Sequence, residues 1–492
     1  MKLRELLHNI NTKQIDNFKN IDIKGVSCDS RFIRKGEIFI ALKGSLTDGH
    51  QYLNEAIEAG AICLVIDYKR SPLFKSLSKE IILVRVNDTK RALILIAHNF
   101  YKRKIKDLKL IGVTGTNGKT TITYLVESIL QTSGFKTGLI GTIEYCLPNH
   151  KQISINTTPG LIELYRYFLE MEKENIDYCI MEVSSHALDQ GRLGNLGFQR
   201  AIFTNISRDH LDYHKNFKDY FMAKSKLFSM LAPDKGCGII NVDDSYGRRL
   251  LRKKMPHKLS YAISRKANVL ASDIKLDIDK TKFLIKYKDV ILPIKSKLLG
   301  LHNVYNILAA TALALSMNIK PGHIIKGINN LKEVVGRLQL AGRKGDVKIF
   351  IDYAHTPVAL KMALKSFSVL KNRERKCKII LVFGCGGERD RAKRPQMGRI
   401  ASCFSDLTFI TTDNPRSENP DDIIADIRRG FLRKNYIVVK DRYKAIKKAI
   451  HKAKENDVVL IAGKGHECVQ IFDSRVVDFD DKKAVYRALD EA

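Results

Sequence analysis

Leu108-Lys-Leu-Ile-Gly-Val-Thr-Gly-Thr-Asn-Gly-Lys-Thr-Thr121 is the stretch on which the fold of this chain turns. Its first half is a short apolar run, the pattern of a strand buried on both faces. Its second half is a glycine-rich loop that opens a helical pattern. Glycines there let the backbone N–H groups of Gly115, Thr116, Asn117 and Gly118 converge on phosphate oxygens without side-chain obstruction. Lys119 follows, within reach of a nucleotide's outer phosphates, and the hydroxyl of Thr120, ahead of Thr121, can ligate Mg²⁺. The positive end of the helix dipole adds to the attraction. The first glycine of the full GxxxxGK[ST] pattern is missing, because Val113 occupies it. A tight turn with a solvated lysine is the bland alternative, but strand, loop, Gly-Lys-Thr and helix in that order favour a phosphate site.

Working outward, further apolar strands are expected at 138–143, 178–181, 201–203 and 238–240, with helical patterns between most of them. Strands alternating with helices imply a parallel, doubly wound α/β sheet. This block runs to about residue 335, and 268–298 reads as an added β section. Upstream, residues 1–95 show strand-like runs at 37–42, 62–66 and 81–86 and an amphipathic helix near 52–59, a small α/β module. Residues 89–101 read as a helix leading out of it. Downstream, 336–492 carries apolar strands at 348–351, 378–383, 407–411 and 458–462, separated by helical stretches at 421–433 and 443–454. It reads as a second, smaller α/β domain.

The length of 492 residues fits these three domains better than one core. Hydrophobic content of 44% and charged content of 28% are those of ordinary globular protein. No apolar run approaches the roughly 18 residues that a membrane span needs. The start, Met-Lys-Leu-Arg-Glu-Leu-Leu-His, lacks a long apolar region, so a cytoplasmic location is expected. Nine scattered cysteines form no CxxC pair, which argues against a zinc site or a disulfide framework. The net charge of +32 favours anionic partners, yet the Lys and Arg are spread along the chain and no nucleic-acid-binding motif accompanies them.

Two strand ends carry candidate chemistry. Glu182 closes the apolar run Cys-Ile-Met, at the end that faces the ligand crevice of an open α/β sheet, and is placed to hold Mg²⁺ directly or through water. The next strand ends in Thr204-Asn-Ile-Ser-Arg-Asp-His-Leu-Asp-Tyr-His214. Two histidines and two aspartates within six residues are odd for a solvated loop and point to a site. Lys224, on a probable helix, reads from spacing alone as a surface lysine.

With these residues in view, the chain resembles the Mur ligase family over nearly its whole length. The signatures are Asp29-Ser-Arg31, Thr114-Gly-Thr-Asn-Gly-Lys-Thr-Thr121, Asn156-Thr-Thr158, Glu182-Val-Ser-Ser-His186, Asp209-His-Leu-Asp212, His302-Asn303, Asp352-Tyr-Ala-His-Thr-Pro357, Asp413-Asn-Pro-Arg416 and Gly463-Lys-Gly-His-Glu467. The resemblance implies an N-terminal domain (1–95) for a uridine nucleotide, a central P-loop domain (96–335) for ATP, and a Rossmann-like C-terminal domain (336–492) for an incoming amino acid. On matched positions, Ser30, Ser45, Leu46 and Thr47 would contact the UDP end, and Asn156, Thr157, Thr158, Ser184, Gln190 and Arg192 the rest of a UDP-muramoyl dipeptide. Asn303 and Asp352 would meet the adenosine, and Arg337 the phosphates. Arg389, Asp413, Asn414, Pro415, Arg416, Gly463 and Glu467 would receive meso-diaminopimelate, since Asp-Asn-Pro-Arg is the form seen in diaminopimelate-adding members. Lys224 falls where the family carries N6-carboxylysine, whose carbamate helps place Mg²⁺ beside Glu182 and His210. Departures are small: Gly191 stands where relatives carry a larger residue, and Glu388 where Asp is frequent.

The implied reaction is ATP-dependent amide formation through an acyl phosphate in cell-wall precursor synthesis, by an enzyme expected to be a monomer. A lysine-adding ligase shares everything but amino-acid recognition. A folylpolyglutamate-type ligase should lack the muramoyl residues and Asp413 to Arg416. A basic P-loop protein acting on nucleic acid would show ATPase activity stimulated by DNA or RNA.

Overall fold

The computed structural model describes residues 1–44, 47–70, 80–368 and 377–491. The strand expected at 108–113 forms at Lys109–Thr114 and is the hub of the largest sheet. Eleven strands run in the order Val290–Ser296, Thr281–Tyr287, Val269–Leu276, His257–Ala262, Cys237–Asn241, Phe198–Phe203, Lys109–Thr114, Tyr178–Glu182, Thr137–Ile140, Glu144–Cys146, Lys151–Ile153. The strands from Thr137–Ile140 to Val269–Leu276 are parallel, and antiparallel strands extend each flank. Period-two alternation explains why the central strands are apolar throughout: Ile111, Val113, Ile180, Ile202 and Ile239 feed a core under the helices Lys119–Thr132 and Leu301–Ser316. Leu110, Cys179, Met181, Ala201 and Phe203 feed the core on the opposite face, under Leu161–Lys173 and Phe217–Ser229.

The C-terminal sheet repeats this plan in six strands, ordered Gln339–Lys344, Val347–Asp352, Val458–Ala462, Ile379–Phe383, Leu407–Ile410, Tyr436–Val438, with only the first antiparallel. The N-terminal sheet has five strands, ordered Thr12–Asp16, Ile82–Val86, Cys63–Asp67, Glu37–Ile40, Gly25–Ser27, and its antiparallel edge is Thr12–Asp16. The helix Thr89–Tyr101 forms as expected, N-capped by Asp88, whose side chain accepts from Arg91 N. It belongs to both neighbours. Its buried face shares one continuous core with the N-terminal and central sheets, and the Tyr101 ring stacks on Tyr165 at 4.8 Å.

Several elements lie outside the sequence expectations. The parallel strand His257–Ala262 is half polar, and its strand character comes from pairing with Cys237–Asn241. The section expected at 268–298 is an antiparallel meander that joins the central sheet through that strand. Among the described residues, no helix is long and apolar enough to cross a membrane.

Candidate active site

The crests of the central and C-terminal sheets face one cavity of about 450 Å³, lined by the glycine loop, Glu182, Asp209, His210, Arg337 and Asp352 to His355, among others. The loop keeps its shape through two glycines. Gly115 (φ +148°) and Gly118 (φ +92°) hold conformations that L side chains rarely adopt; a Cβ at Gly115 would meet Thr204 Oγ1 at 1.8 Å, and one at Gly118 would meet Asn306 Oδ1 at 2.4 Å. The next strand end braces the loop. Thr204 Oγ1 donates to the Asn117 carbonyl at 2.7 Å, and Thr116 N donates to the Asn205 carbonyl at 2.9 Å. Lys119 opens the helix Lys119–Thr132 and folds back, its Nζ donating to the carbonyls of Gly115 (3.0 Å) and Thr116 (2.9 Å). Burial draws its amine below the usual lysine range.

Glu182 ends the strand beside the loop and is fully buried. Its carboxylate accepts from Thr120 Oγ1 (3.1 Å), Thr142 N (2.8 Å) and Thr142 Oγ1 (3.0 Å). Arg337, from the chain leading into the C-terminal sheet, donates to the same Thr120 hydroxyl at 2.9 Å. The loop hydroxyl therefore sits between a carboxylate and a guanidinium.

Asp209 and His210 share the mouth. Burial pushes Asp209 up, but His355, His210 and Lys393 outweigh it and hold the carboxyl far below its usual range. Burial pushes the His210 imidazole down to about 3, so the ring is neutral and available as a ligand. The expectation that Lys224 is a surface lysine is wrong. Lys224 is 1% exposed, on the buried face of Phe217–Ser229, with Nζ donating to the Gly115 carbonyl at 2.9 Å and lying over the Tyr220 ring. Burial and Lys119 draw its amine well below the usual range. Lys226, two residues on, faces outward and pairs with Asp189.

At the far end of the cavity are Asp243, Tyr305, His302 and Asn306. Asn303 does not line it: its amide donates to the Leu299 carbonyl at 2.8 Å and accepts from Asn306 Nδ2 at 2.8 Å. Asn306, one helical turn on, lines it instead. Asp352 accepts from Leu338 N at 2.7 Å, and burial pushes its carboxyl up to about 6.

The muramoyl candidates around Glu182 form one network. Thr158 Oγ1 donates to the Glu182 carbonyl at 2.9 Å and accepts from Ser184 N at 3.0 Å; Arg192 donates to the Thr158 carbonyl at 3.2 Å and to Gln190 Oε1 at 2.8 Å. Thr157 and Ser184 line the cavity, and Asn156 is exposed next to it in the chain. Ser30 and Thr47 lie apart, on the N-terminal module, where the Ser30 hydroxyl donates to Glu55. Ser45 and Leu46 fall outside the described residues.

The amino-acid candidates cluster at the C-terminal crest. Glu467 accepts from Asn414 Nδ2 (2.8 Å), Lys464 Nζ (3.2 Å) and Tyr353 Oη (3.3 Å). Gly463 (φ +114°) leaves room for the Asp413 carboxylate. Pro415 is buried, and its carbonyl lies so close to Gly387 that a Cβ there would meet it at 1.8 Å. Arg416, itself at φ +53°, donates to the Gly387 carbonyl at 2.7 Å. Glu418, its nearest acid in sequence, pairs instead with Arg391 and Arg394. Among the described residues neither Arg416 nor Arg389 forms an ion pair, and burial together with Arg389 draws the Arg416 guanidinium below its usual range.

Sequence reasoning missed Thr142, Tyr353, Lys393 and Lys464. Tyr353 and Lys464 sit inside quoted motifs and could have been singled out there. Thr142 acts partly through its backbone N–H, which no side-chain pattern reveals.

The comparisons with known proteins agree with this geometry. Residues 22–101 match the Mur ligase family, catalytic domain; 113–314 the Mur ligase middle domain; and 336–465 the Mur ligase, glutamate ligase domain. A relative from Clostridium acetobutylicum, named UDP-N-acetylmuramoyl-L-alanyl-D-glutamate--2,6-diaminopimelate ligase 1, is 40% identical over 100% of both chains. A solved UDP-N-acetylmuramoyl-L-alanyl-D-glutamate--2,6-diaminopimelate ligase superposes with a TM-score of 0.69 at 29% identity, covering 100% of this chain and 99% of the other. MurF ligase from Thermotoga maritima, in complex with ADP, gives 0.66 at 17% identity over 96% and 99%, a likeness of fold. From its N-terminal module to its C-terminal sheet, the chain belongs to the Mur ligase family.

Proposed function

We propose that this chain is the ATP-dependent ligase that joins meso-2,6-diaminopimelate to UDP-N-acetylmuramoyl-L-alanyl-D-glutamate, forming ADP and phosphate in peptidoglycan precursor synthesis. The likeness to relatives of that name supports the reaction. The observation that carries the choice of amino acid is Arg416, a half-buried guanidinium with no acidic partner among the described residues, close enough to Arg389 to feel its charge. Diaminopimelate differs from lysine by a carboxylate at its far end, and a guanidinium is the planar, charge-assisted match for that group.

In this reading the boundaries at 95/96 and 335/336 separate the nucleotide, ATP and amino-acid units, and the enzyme works as a cytoplasmic monomer. The loop amides of Gly115 to Thr121 and the Lys119 amine hold the triphosphate, while Arg337 reaches the phosphates from the C-terminal side. The substrate carboxylate, brought in by Thr157, Thr158, Ser184 and Arg192, attacks the γ-phosphorus, and ADP leaves. The diamino acid's amine then attacks the acyl carbon, the amide C–N bond forms, and phosphate departs. Charge builds first on the transferring phosphoryl group, so Lys119 acts mainly by electrostatics.

Among the described residues no group of three or more His, Cys, Asp and Glu gathers for a metal. Thr120, Glu182 and a neutral His210 nonetheless fit Mg²⁺, which keeps waters and takes phosphate oxygens as ligands. Lys224 joins them only as a carbamate, and its depressed basicity favours the neutral amine that adds CO₂. When bound, Mg²⁺ supplies neutralisation of phosphate charge. The deciding experiment is an ADP-release assay offering meso-diaminopimelate and L-lysine separately with the UDP-muramoyl dipeptide. Turnover with diaminopimelate alone is expected; equal use of lysine would overturn the reading.

A further inference from the structure

Behind the Asp413 loop lies a buried arginine that the proposed reaction does not use. Arg442 is the first residue of the helix Arg442–Lys452, and its side chain is wholly buried. Its Nε and Nη2 donate to the two carboxylate oxygens of Asp481 at 2.7 and 2.8 Å, and Nη2 also donates to the Ala462 carbonyl at 3.2 Å. Asp481, equally buried, is the first residue of the helix Asp481–Asp490. The bidentate pair fixes the plane of the guanidinium.

That plane leaves Nη1 over. It is buried without a hydrogen-bond partner among the described residues, and Asp413 Oδ2 lies 4.0 Å from it. A buried charged donor left unpaired is costly, so its persistence calls for an explanation. Asp413 is 7% exposed, and its carboxylate makes no hydrogen bond among the described residues. On another side it is flanked by Gly463, where a Cβ would lie 2.5 Å from Asp413 Oδ2. Any other residue at Gly463 would push the carboxylate out of place. The carboxylate therefore rests in a slot with a bare backbone on one side and an aimed, unspent N–H on another.

We infer that Arg442 is a positioning residue for the amino-acid site: locked by Asp481, it holds the Asp413 carboxylate in the orientation that receives an ammonium group of the incoming diamino acid. A small shift of Asp413 as ligand arrives closes the 4.0 Å gap to a charge-assisted hydrogen bond. The inference rests on the proposed assignment of Asp413 to the diamino acid.

Removing Arg442 alone strands the Asp481 charge, so the test uses two variants that keep the interior balanced. Arg442→Lys retains the charge but lacks the fork that can serve Asp481 and Asp413 together. Arg442→Met combined with Asp481→Leu replaces the pair by apolar volume. KM for meso-diaminopimelate is expected to rise about tenfold or more in whichever variants keep the wild-type melting temperature, with KM for ATP and the UDP-muramoyl dipeptide within about twofold. Adding Asp413→Asn to those variants should then cost much less than it costs the wild type, which a merely structural arginine would not produce. Folded variants with wild-type KM for diaminopimelate, or an equal cost of Asp413→Asn in both backgrounds, would overturn this inference alone. Wild-type enzyme that turned over no diamino acid would overturn the proposed function with it.

Discussion

The crests of the central and C-terminal sheets meet across one opening but treat charge differently. On the central crest the charges are met within the protein: Lys119 and Lys224 both donate to the Gly115 carbonyl, and the Glu182 carboxylate accepts from Thr120 and Thr142. On the C-terminal crest, the Asp413 carboxylate accepts no hydrogen bond among the described residues, and Glu418 is taken by arginines other than Arg416. A phosphate loop can afford to be self-contained, since its amides and amines exchange internal carbonyls for phosphate oxygens without rebuilding. A site that must discriminate gains from charges left unpaired, because a ligand lacking the right group leaves them so.

The largest expected effect tests the first half of that contrast. Lys119→Ala should lower turnover on the order of a thousandfold while the circular dichroism spectrum is unchanged. Near-normal phosphate release from the folded variant would show that the crest does not need its cation. Next, Lys224→Ala should lose at least about a hundredfold in turnover, with partial rescue by added short carboxylates standing in for the carbamate. Intact-mass measurement of active enzyme should show the added mass of CO₂, and an unmodified amine would remove Lys224 from the metal site. Arg416→Ala tests the other half: use of diaminopimelate should fall by about a hundredfold with ATP binding, measured by calorimetry, largely intact. A loss spread evenly over all substrates would erase the contrast.

Smaller effects follow from titration. Burial lowers His302 from 6.5 to about 4, so between those values the unfolded chain takes up a proton that the folded protein refuses. Stability from this group is full above pH 6.5 and is lost as pH falls toward 4. Asp352, raised from 3.8 to about 6, works the other way, because the folded state binds its proton first and gains as pH falls through 6. Melting curves should therefore show His302→Gln flattening the acid decline and Asp352→Asn steepening it, each by a few degrees. Smallest of all, Lys226→Ala should change stability by less than about 0.5 kcal/mol, since its pair with Asp189 is exposed.

The architecture was legible where one physical rule dominates. Residues 110–113 and 458–462 carry no polar side chain because each strand feeds cores on both faces, and such runs announce themselves. The strand His257–Ala262 did not, because its character comes from its neighbour rather than from its own residues. The phosphate loop and Glu182 were readable from local order. Lys224 was not: what buries it is a carbonyl 109 positions away, and helical spacing carries no record of that contact. The orientation of Asn303 is illegible for a related reason. The motif marks the helix, whereas the contacts with Leu299 and Asn306 turn the Asn303 amide away from the cavity, which Asn306 lines.

Tyr353 has a wider consequence. Its hydroxyl donates to Glu467 at 3.3 Å on the side proposed for the amino acid, while the Arg337 guanidinium lies 4.7 Å from its ring centroid on the side proposed for the phosphates. One side chain is thus a party wall between two rooms, and whatever leans on it in one is felt in the other. Such a wall cannot transmit in a single direction. If triphosphate drawing on Arg337 tightens the grip on the amino acid by some factor, the amino acid drawing on Glu467 must tighten the grip on ATP by the same factor.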